Sequence, residues 1–239
     1  MIASIVWDVD PILFKVGSWE VRWYGLMWGL GFILAYEMVS RLFKKEKYPE
    51  EWVDKLFVYC IVSTVIGARL GHCLFYEWDY YSAHPVEIFK IWKGGLASHG
   101  GVFAIILALV WYSKKVTKKS VWWLFDRMIP AVAVVCFCIR FGNLMNSEIY
   151  GYPTTLPWGF EFVRSREWHQ LYEGLPCHPT QIYEMLYCLV AGVTAWVMYH
   201  KYHLQNRVGL ITGVSLLIFF GSRLSLIHIS EPTRRVVIS

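Results

Sequence analysis

The sequence lacks the features that identify a zinc-binding or a secreted protein. Its six cysteines include no C-x-x-C pair and no histidine at a spacing typical of zinc ligands. The N-terminus has no cluster of positive charge ahead of a short apolar stretch and a small-residue cleavage site, so we expect no removable signal peptide. Nothing in the sequence requires a nucleotide or a redox group. We therefore predict a protein without a metal or other cofactor.

The sequence also has no repeat or low-complexity tract, and its charge is not gathered in a basic domain. The formal net charge of +5 arises mostly from short Lys and Arg clusters in three connectors between apolar runs. These clusters are Arg41, Lys44, Lys45 and Lys47; Lys114, Lys115, Lys118 and Lys119; and Lys201 and Arg207. Such clusters indicate membrane topology rather than a nucleic-acid partner. The positive-inside rule places them in the cytoplasm.

What the sequence does contain is long apolar runs. Hydrophobic residues make up 56% of the chain and the mean hydropathy is +0.39, which is too apolar for a soluble domain. Six runs approach the roughly 20 residues that a membrane helix needs. They are Val21–Phe43, Trp52–Tyr76, Leu96–Tyr112, Val121–Phe141, Ile182–Tyr199 and Val208–Ser222. We predict an all-α, polytopic membrane helix bundle with six transmembrane helices, leaving a seventh open, and a small outer-side cap formed by the connector 142–179.

The last residues differ in character from the rest of the chain. The run from Leu224 to Arg234 (LSLIHISEPTR) resembles the translation of a common sequencing adapter. We therefore expect the membrane domain to comprise residues 1–223 and residues 224–239 to be a non-native tail. On this expectation the natural C-terminus is missing and the sixth helix is interrupted just after Arg223.

Polar residues gather at the ends of the runs that the predicted topology places on the outer side. A charged side chain at bilayer depth costs about 2.5–3.5 kcal/mol on insertion scales, so each calls for a functional explanation. The residues are Arg22, Tyr24, Arg69, Glu77, His99, Arg140, Asn143, Asn146, Glu148, His178, Gln181, Glu184 and Arg223. Snorkelling to the headgroups explains single members of this set. The set as a whole predicts a functional site at the outer end of the helices.

Two of these segments favour ligand binding over packing. His99 lies between paired glycines, where a ligand or a neighbouring backbone can approach closely, and a hydrogen-bonded packing histidine is the alternative. Arg140 and Asn143 are three residues apart and share one face if the helix continues through them. The planar guanidinium fork suits a phosphate group. Pairing of Arg140 with Glu148 or Glu184 is the structural alternative.

Three other patterns are open to a structural explanation. The pairs Gly25-x-x-x-Gly29 and Gly67-x-x-x-Gly71 predict close helix packing without any catalytic role. The segment from His178 to Gln181 is a polar start to the fifth run, and its residues suit a binding site and a scaffold equally.

Together these segments resemble the bacterial prolipoprotein diacylglyceryl transferase family. The matching motifs are RWYGLM from Arg22, GARLG from Gly67, LFY from Leu74, GGLASHGG from Gly94, RFGNLMNSEIYG from Arg140 and HPTQIYE from His178. They occur in the family's order between Asp10 and Arg223. The segments around His99 and Arg140 are long enough to be specific.

The resemblance implies a membrane enzyme that transfers the diacylglyceryl group of phosphatidylglycerol to the lipobox cysteine of a prolipoprotein, forming a thioether and releasing glycerol 1-phosphate. Its catalytic residues would be His99, Arg140 and Tyr24. Its phosphatidylglycerol-binding residues would include Arg140, Asn143, Arg223, Glu148 and Gly151. From the polar set at the outer helix ends we add Arg69, His178 and Gln181 as predicted phosphatidylglycerol-binding residues. Its partners would be phosphatidylglycerol, prolipoprotein signal peptides and membrane lipids, with no nucleic acid. It would be a multi-pass protein of the bacterial inner membrane, with its site toward the periplasmic leaflet.

Two positions depart from the family's pattern, and two other functions compete with it. Arg22 stands where some members have histidine, and Ile227 stands where a glutamate is expected four residues after Arg223.

A non-enzymatic lipid or solute transporter is the alternative, although transport favours polar residues at the midplane. An intramembrane protease is disfavoured because Ser98 and His99 are sequence neighbours that cannot readily face each other as nucleophile and base.

Overall fold

The computed structural model of the chain describes residues 4–17, 19–91, 94–172 and 174–229. The helices in this part are α1 (Trp23–Lys45), α2 (Glu50–Phe75), α3 (Trp78–Ala83), α4 (Ser98–Tyr112), α5 (Val121–Met145), α6 (Arg166–Tyr172), α7 (Thr180–His200) and α8 (Leu210–Leu226). A π-helical segment, Ser113–Thr117, extends α4, and short 3-10 helices cover Pro85–Phe89 and Leu204–Asn206. The strands are β1 (Ile5–Val6), β2 (Ile12–Val16), β3 (Trp19–Arg22) and β4 (Phe160–Glu161).

Five of the described helices are long and apolar enough to cross a membrane. They are α1, α2, α4 with its π-helical extension, α5 and α7. The helix α8 is also apolar but has 17 residues, at the short end of the range for a membrane span. The predicted polytopic, helical membrane architecture is therefore confirmed. The sixth predicted run corresponds to α8, and the number of spans stays a prediction.

The structure adds four short strands that the sequence analysis did not predict. β2 and β3 form an antiparallel hairpin in which Phe14 faces Val21 and Val16 faces Trp19. Gly17, with a φ of +62°, begins the turn between them, a conformation that glycine adopts without strain. In β3, apolar and polar residues alternate from Trp19 to Arg22, which is a pattern typical of a strand. Val21 therefore belongs to a strand and does not begin the first helix, contrary to the prediction. The first helix begins at Trp23 instead, so Arg22 ends a strand rather than opening a helix.

The chain divides into two compact units. The first comprises Met1–Met38 and Asp126–Ser239, and the second comprises Val39–Phe125. The predicted boundary at residue 223 falls inside α8, and residues 230–239 of the predicted tail lie outside the described residues.

In the first unit, α7 packs against α8, and a buried carboxylate holds the start of α8. Asp126 of α5 accepts hydrogen bonds from the backbone amides of Gly209 and Thr212, at 2.6 and 2.8 Å, and from the Thr212 hydroxyl at 2.6 Å. These amides belong to the first turn of a helix, where they have no partner within the helix and where negative charge is favourable. Asp126 therefore fixes where α8 begins relative to α5.

The connector 142–179 folds around an apolar cluster of its own. The cluster consists of Leu144, Tyr150, Phe160, Phe162, Trp168 and Cys177, all buried. β1 pairs in parallel with β4 and joins the N-terminal segment to this connector. Arg164 also binds this segment, since its side chain lies 2.6 Å from Asp8 and 3.2 Å from Asp10, and these carboxylates raise the pKa of Arg164. The connector thus has the packed core that a small cap requires.

In the second unit, α2 and α4 pack closely along a glycine seam. A Cβ atom on Gly67 would overlap the Gly100 carbonyl group, and one on Gly71 would lie 2.8 Å from the Gly100 Cα atom. The predicted close packing at Gly67 and Gly71 is therefore present. A Cβ atom on Gly25 or Gly29 would meet no atom within 4 Å in the described part of the chain, so the structure shows no such packing there.

Candidate active site

A buried glutamate joins two arginines in the first unit. Glu184, in the first turns of α7, forms an ion pair through one carboxylate oxygen with Arg140 near the end of α5 and through the other with Arg223 near the end of α8. The Glu184 side chain is 2% exposed, whereas those of Arg140 and Arg223 are 28% and 45% exposed. Of the two structural partners considered for Arg140, the structure selects Glu184. We call these three residues the arginine–glutamate cluster.

The arginine–glutamate cluster carries one formal net positive charge, and some of its donors are engaged by no other residue that the structure describes. Each guanidinium has five N–H donors, and Glu184 engages only some of them. Nη1 of Arg140 also lies 3.4 Å from Oδ1 of the buried Asn143, one turn further along α5. The predicted shared face of these two residues is thus present. A cation held by a buried anion, with free donors, is suited to bind a doubly charged or singly charged phosphate.

The start of α1 lies against the end of α5. A Cβ atom on Gly142 would lie 2.9 Å from the Tyr24 ring, so the absence of a side chain at position 142 makes room for Tyr24. Tyr24 therefore packs against α5 at Gly142, which follows Arg140 by two residues. In the first unit, Tyr24 and the arginine–glutamate cluster thus lie toward the same end of the helices, and the buried Asp126–Thr212 contact lies at the other end.

The segment around Glu148 is held by the residues that lead into α7. Nε2 of Gln181 donates to the Glu148 carbonyl oxygen at 2.6 Å, and the Gly151 amide donates to the His178 carbonyl oxygen at 2.8 Å. A Cβ atom on Gly151 would lie 2.8 Å from the Thr180 methyl group, so only glycine fits there. The Glu148 carboxylate accepts a hydrogen bond from the Asn146 amide at 2.9 Å and pairs with no arginine in the described part of the chain.

Three buried polar atoms in and around this segment have no hydrogen-bond partner among the described residues: Oδ1 of Asn146, Oγ of Ser147 and Oε1 of Gln181. The last atom belongs to the most deeply buried of the three residues, since the Gln181 side chain is fully buried. A buried carbonyl oxygen without a partner is costly, so this atom is available to a ligand hydroxyl or a water molecule. Gln181 precedes Glu184 by three residues and therefore shares a face of α7 with it.

His178 belongs to a short hydrogen-bonded chain at the surface of the same region. Its Nδ1 lies 3.3 Å from the Tyr183 hydroxyl, which in turn accepts a hydrogen bond from the Trp158 indole at 2.9 Å. Burial lowers the pKa of His178 below its usual value, because desolvation disfavours the imidazolium. These contacts tie His178 to Tyr183 and Trp158, and the lowered pKa disfavours its charged form.

His99 opens α4 in the second unit, as predicted. Its ring is exposed and lies 5.6 Å from the ring of Phe75 and 5.6 Å from that of Tyr76, between ring centres. Within the described part of the chain, no hydrogen bond engages its ring nitrogens. The structure therefore shows an accessible imidazole rather than the hydrogen-bonded packing histidine that was the alternative.

Arg69, a predicted lipid-binding residue, is buried in the second unit with its donors engaged. It donates to the carbonyl oxygens of Glu87 at 2.6 Å, Ile88 at 2.8 Å and Gly94 at 2.6 Å. Its guanidinium also lies 5.0 Å from the centre of the Tyr81 ring. These contacts hold the backbone that leads into the glycine-rich segment before His99.

Two functional candidates were missed or undervalued in the sequence. Glu184 was named as a polar helix end and as a possible partner of Arg140 but not as a site residue, and the signal that finds it is its spacing of three from Gln181 at the start of an apolar run. His72 was not named, yet its ring stacks on Tyr76 at 5.7 Å and its Nε2 lies 3.5 Å from the Glu77 carboxylate. His72 follows Arg69 by one helical turn, which is the signal that could have identified it.

Comparisons with known proteins extend over nearly the whole chain. A sequence model of the family described as "Prolipoprotein diacylglyceryl transferase" matches residues 11–229. The chain is 46% identical over 225 residues to a protein of Porphyromonas gingivalis, covering 92% of this chain and 80% of that protein. It is 43% identical to a protein of Chloroherpeton thalassium, covering 92% and 79%, and 38% identical to one of Tolumonas auensis, covering 95% and 85%. All three are named phosphatidylglycerol–prolipoprotein diacylglyceryl transferase. The chain therefore belongs to the prolipoprotein diacylglyceryl transferase family.

Proposed function

We propose that this chain transfers the diacylglyceryl group of phosphatidylglycerol to the lipobox cysteine of a prolipoprotein. The observation that carries the proposal is the arginine–glutamate cluster, a partly exposed cationic site at one end of apolar, membrane-length helices. The names of the relatives supply the substrates. A transporter would need a path of unpaired polar groups through the bilayer. In the first unit the arginine–glutamate cluster lies near one end of the helices, and the Asp126 carboxylate near the other end is bound by the backbone of α8.

The proposed reaction is a displacement at carbon. The cysteine sulfur attacks the carbon of the diacylglycerol unit that is bonded to the phosphate oxygen. A C–S bond forms at this carbon, and its bond to the phosphate oxygen breaks. The phosphate oxygen takes the electron pair and leaves as glycerol 1-phosphate. A cysteine thiol with a pKa near 8.5 is mostly protonated at neutral pH, so a base must accept its proton. The accessible imidazole of His99 is suited to that role.

Arg140 and Arg223 are proposed to bind the phosphate and to stabilise the charge that grows on its leaving oxygen. Donors that are fixed before the reaction need no reorganisation when charge develops. Glu184 supplies that fixation, because its two oxygens hold both guanidinium groups. The net charge of the cluster remains positive, so a phosphate is still attracted.

The remaining predicted residues are assigned weaker roles around this centre. Asn143 and Gln181 would orient the headgroup or the peptide by hydrogen bonds, since Asn143 contacts Arg140 and Gln181 shares a face of α7 with Glu184. Tyr24, which packs against Gly142, is proposed to assist them. Glu148, Gly151 and His178 would shape the segment that Gln181 holds. Arg69 would act through the loop that precedes His99 rather than by touching lipid. We further propose that the protein is in the bacterial inner membrane and that this site faces the periplasmic leaflet, as the cationic connectors predict.

The test is the mass of the product. Membranes that contain the protein are incubated with phosphatidylglycerol and a peptide that contains a lipobox cysteine, and the peptide is analysed by mass spectrometry. We expect a diacylglyceryl adduct on the cysteine and none on a matched peptide with serine at that position. Absence of the adduct would contradict the proposal.

The role of His99 is tested separately with His99→Gln. Glutamine retains hydrogen bonding but cannot accept the thiol proton, so we expect transfer to be lost while phosphatidylglycerol still binds. Full transfer by this variant would rule out His99 as the base.

A further inference from the structure

An apolar cavity begins one helical turn from the arginine–glutamate cluster. Its volume is about 290 Å³, and its walls come from α1, α5 and α7 of the first unit. The residues that define its length are Pro130, Val134 and Phe137 on α5 and Cys188, Gly192 and Trp196 on α7. The residues that line the cavity are apolar, so the cavity suits an apolar occupant.

The cavity continues the two helix faces that carry the charged cluster. On α5, Phe137 precedes Arg140 by three residues, and on α7, Cys188 follows Glu184 by four. Residues at these spacings lie one above the other on a helix. The near end of the cavity is therefore directly below the Arg140–Glu184 ion pair on both helices.

The length of the cavity follows from the helix rise. Pro130 to Phe137 and Cys188 to Trp196 span about 10 and 12 Å at 1.5 Å per residue. The cavity thus runs from the charged cluster toward the middle of the helices. A cavity of about 150 Å³ holds one benzene molecule, so 290 Å³ has room for roughly a dozen carbon atoms.

We propose that this cavity binds one acyl chain of the lipid whose phosphate is held by Arg140 and Arg223. The inference rests on the proposed function, and it adds a site for the chain and a determinant of chain preference. A phosphate at the arginine–glutamate cluster and an acyl chain below it would fix both ends of the glycerol unit between them. Such fixation places the reacting carbon in one orientation, which is how positioning accelerates a displacement.

The cavity selects chains by shape rather than by hydrophobic gain. A lipid tail that leaves the bilayer for an apolar cavity exchanges one apolar environment for another. Steric fit therefore decides which chains are accepted. Gly192 contributes to this steric selection. A Cβ atom at this position would lie 3.1 Å from the Ala133 methyl group and would narrow the cavity.

The test uses a substitution that shortens the cavity and a matched control on the same helix. Val193 lines the cavity and is 54% exposed, and Val190 is 55% exposed and does not line it. Val193→Trp and Val190→Trp are compared for transfer from phosphatidylglycerols with acyl chains of about 8 and about 18 carbons, shorter and longer than the roughly dozen carbons that fit.

For Val193→Trp we expect kcat/KM with the long-chain lipid to fall at least about tenfold relative to the short-chain lipid, the size of effect that an overpacked site produces. Val190→Trp should leave the ratio of the two lipids unchanged. Equal loss with both lipids, or equal ratios in the two variants, would overturn the inference. If the unsubstituted protein forms no thioether with either lipid, the proposed function itself has failed.

A second measurement uses the unsubstituted protein, in case Val193→Trp does not fold. Phosphatidylglycerol with a photoreactive diazirine near the end of one acyl chain is irradiated in vesicles that contain the protein. We expect crosslinks in the peptides that contain residues 130–137 and 188–196. Crosslinks spread over all exposed apolar helix surfaces would mean that bulk lipid alone fills the cavity and would overturn the inference.

Discussion

Substitution of Glu184 gives the most specific prediction about catalysis, because its one carboxylate holds both arginines of the cluster. In Glu184→Gln the shape and some hydrogen bonding remain, but the negative charge is lost. Two opposite charges in contact attract by about 4 kcal/mol at an effective dielectric constant of 20. Water at the 45% exposed Arg223 reduces its pair to about 1 kcal/mol or less. The better shielded Arg140 pair retains more of this attraction.

We expect a loss of about 1.4–2.7 kcal/mol in transition-state stabilisation, which corresponds to a fall in kcat of roughly tenfold to a hundredfold. The KM for phosphatidylglycerol should not rise, because two arginines without their carboxylate still attract phosphate but are no longer held in one orientation. The split between kcat and KM distinguishes lost positioning from lost binding. Glu184→Asp retains the charge and should recover part of the rate.

The assay is initial-rate thioether formation at varied phosphatidylglycerol, with the amount of folded protein measured for each variant. Glu20→Gln is the matched control, since it removes a carboxylate from an exposed ion pair of the same unit, with Lys15 at 2.8 Å. It should change the rate by less than about twofold, as expected for a surface pair. A folded Glu184→Gln protein with parental kcat would refute the reasoning.

Three further predictions follow from single contacts. Arg140→Lys should reduce transfer by at least about tenfold, because an ammonium cannot replace the planar fork that binds both Glu184 and phosphate; parental rates would exclude a bidentate role. Asp126→Asn should destabilise the protein by about 1–3 kcal/mol, since the new amide NH2 would face the donor of either Gly209 or Thr212 while its one oxygen accepts from the other. An unchanged thermal unfolding temperature would contradict this. The lowered pKa of His178 means that the unfolded chain binds its proton more tightly. The free energy of unfolding should therefore fall as the pH drops below about 6.5, and His178 should not change it above that pH. His178→Gln should weaken this pH dependence on the acid side. Identical curves of stability against pH for the variant and the parent would contradict the prediction.

Local patterns predicted the helices and the i,i+3 contacts well. The predicted apolar runs coincide with α1, α2, α4, α5, α7 and α8 to within a few residues, and Arg140 does share a face with Asn143. Helix periodicity and the cost of charge in a bilayer act within one segment, so the sequence reveals them.

Contacts between distant segments were not predictable in the same way. The choice of Glu184 over Glu148 as the partner of Arg140 depends on how α5, α7 and the connector between them pack. The backbone carbonyl groups that engage Arg69 come from a loop with no regular pattern. The pairing of β1 with β4 joins residues more than 150 positions apart. In each case the partner is chosen by tertiary structure.

The central claim, transfer of a diacylglyceryl group with loss of the phosphate headgroup, is tested most directly by counting both products. Phosphatidylglycerol labelled in its headgroup glycerol is incubated with the protein and a lipobox peptide, and the released label and the peptide thioether are measured in the same sample. The account predicts glycerol 1-phosphate and thioether in equal amounts, with both lost in His99→Gln. Release of headgroup without thioether, or movement of intact lipid without release, would contradict it.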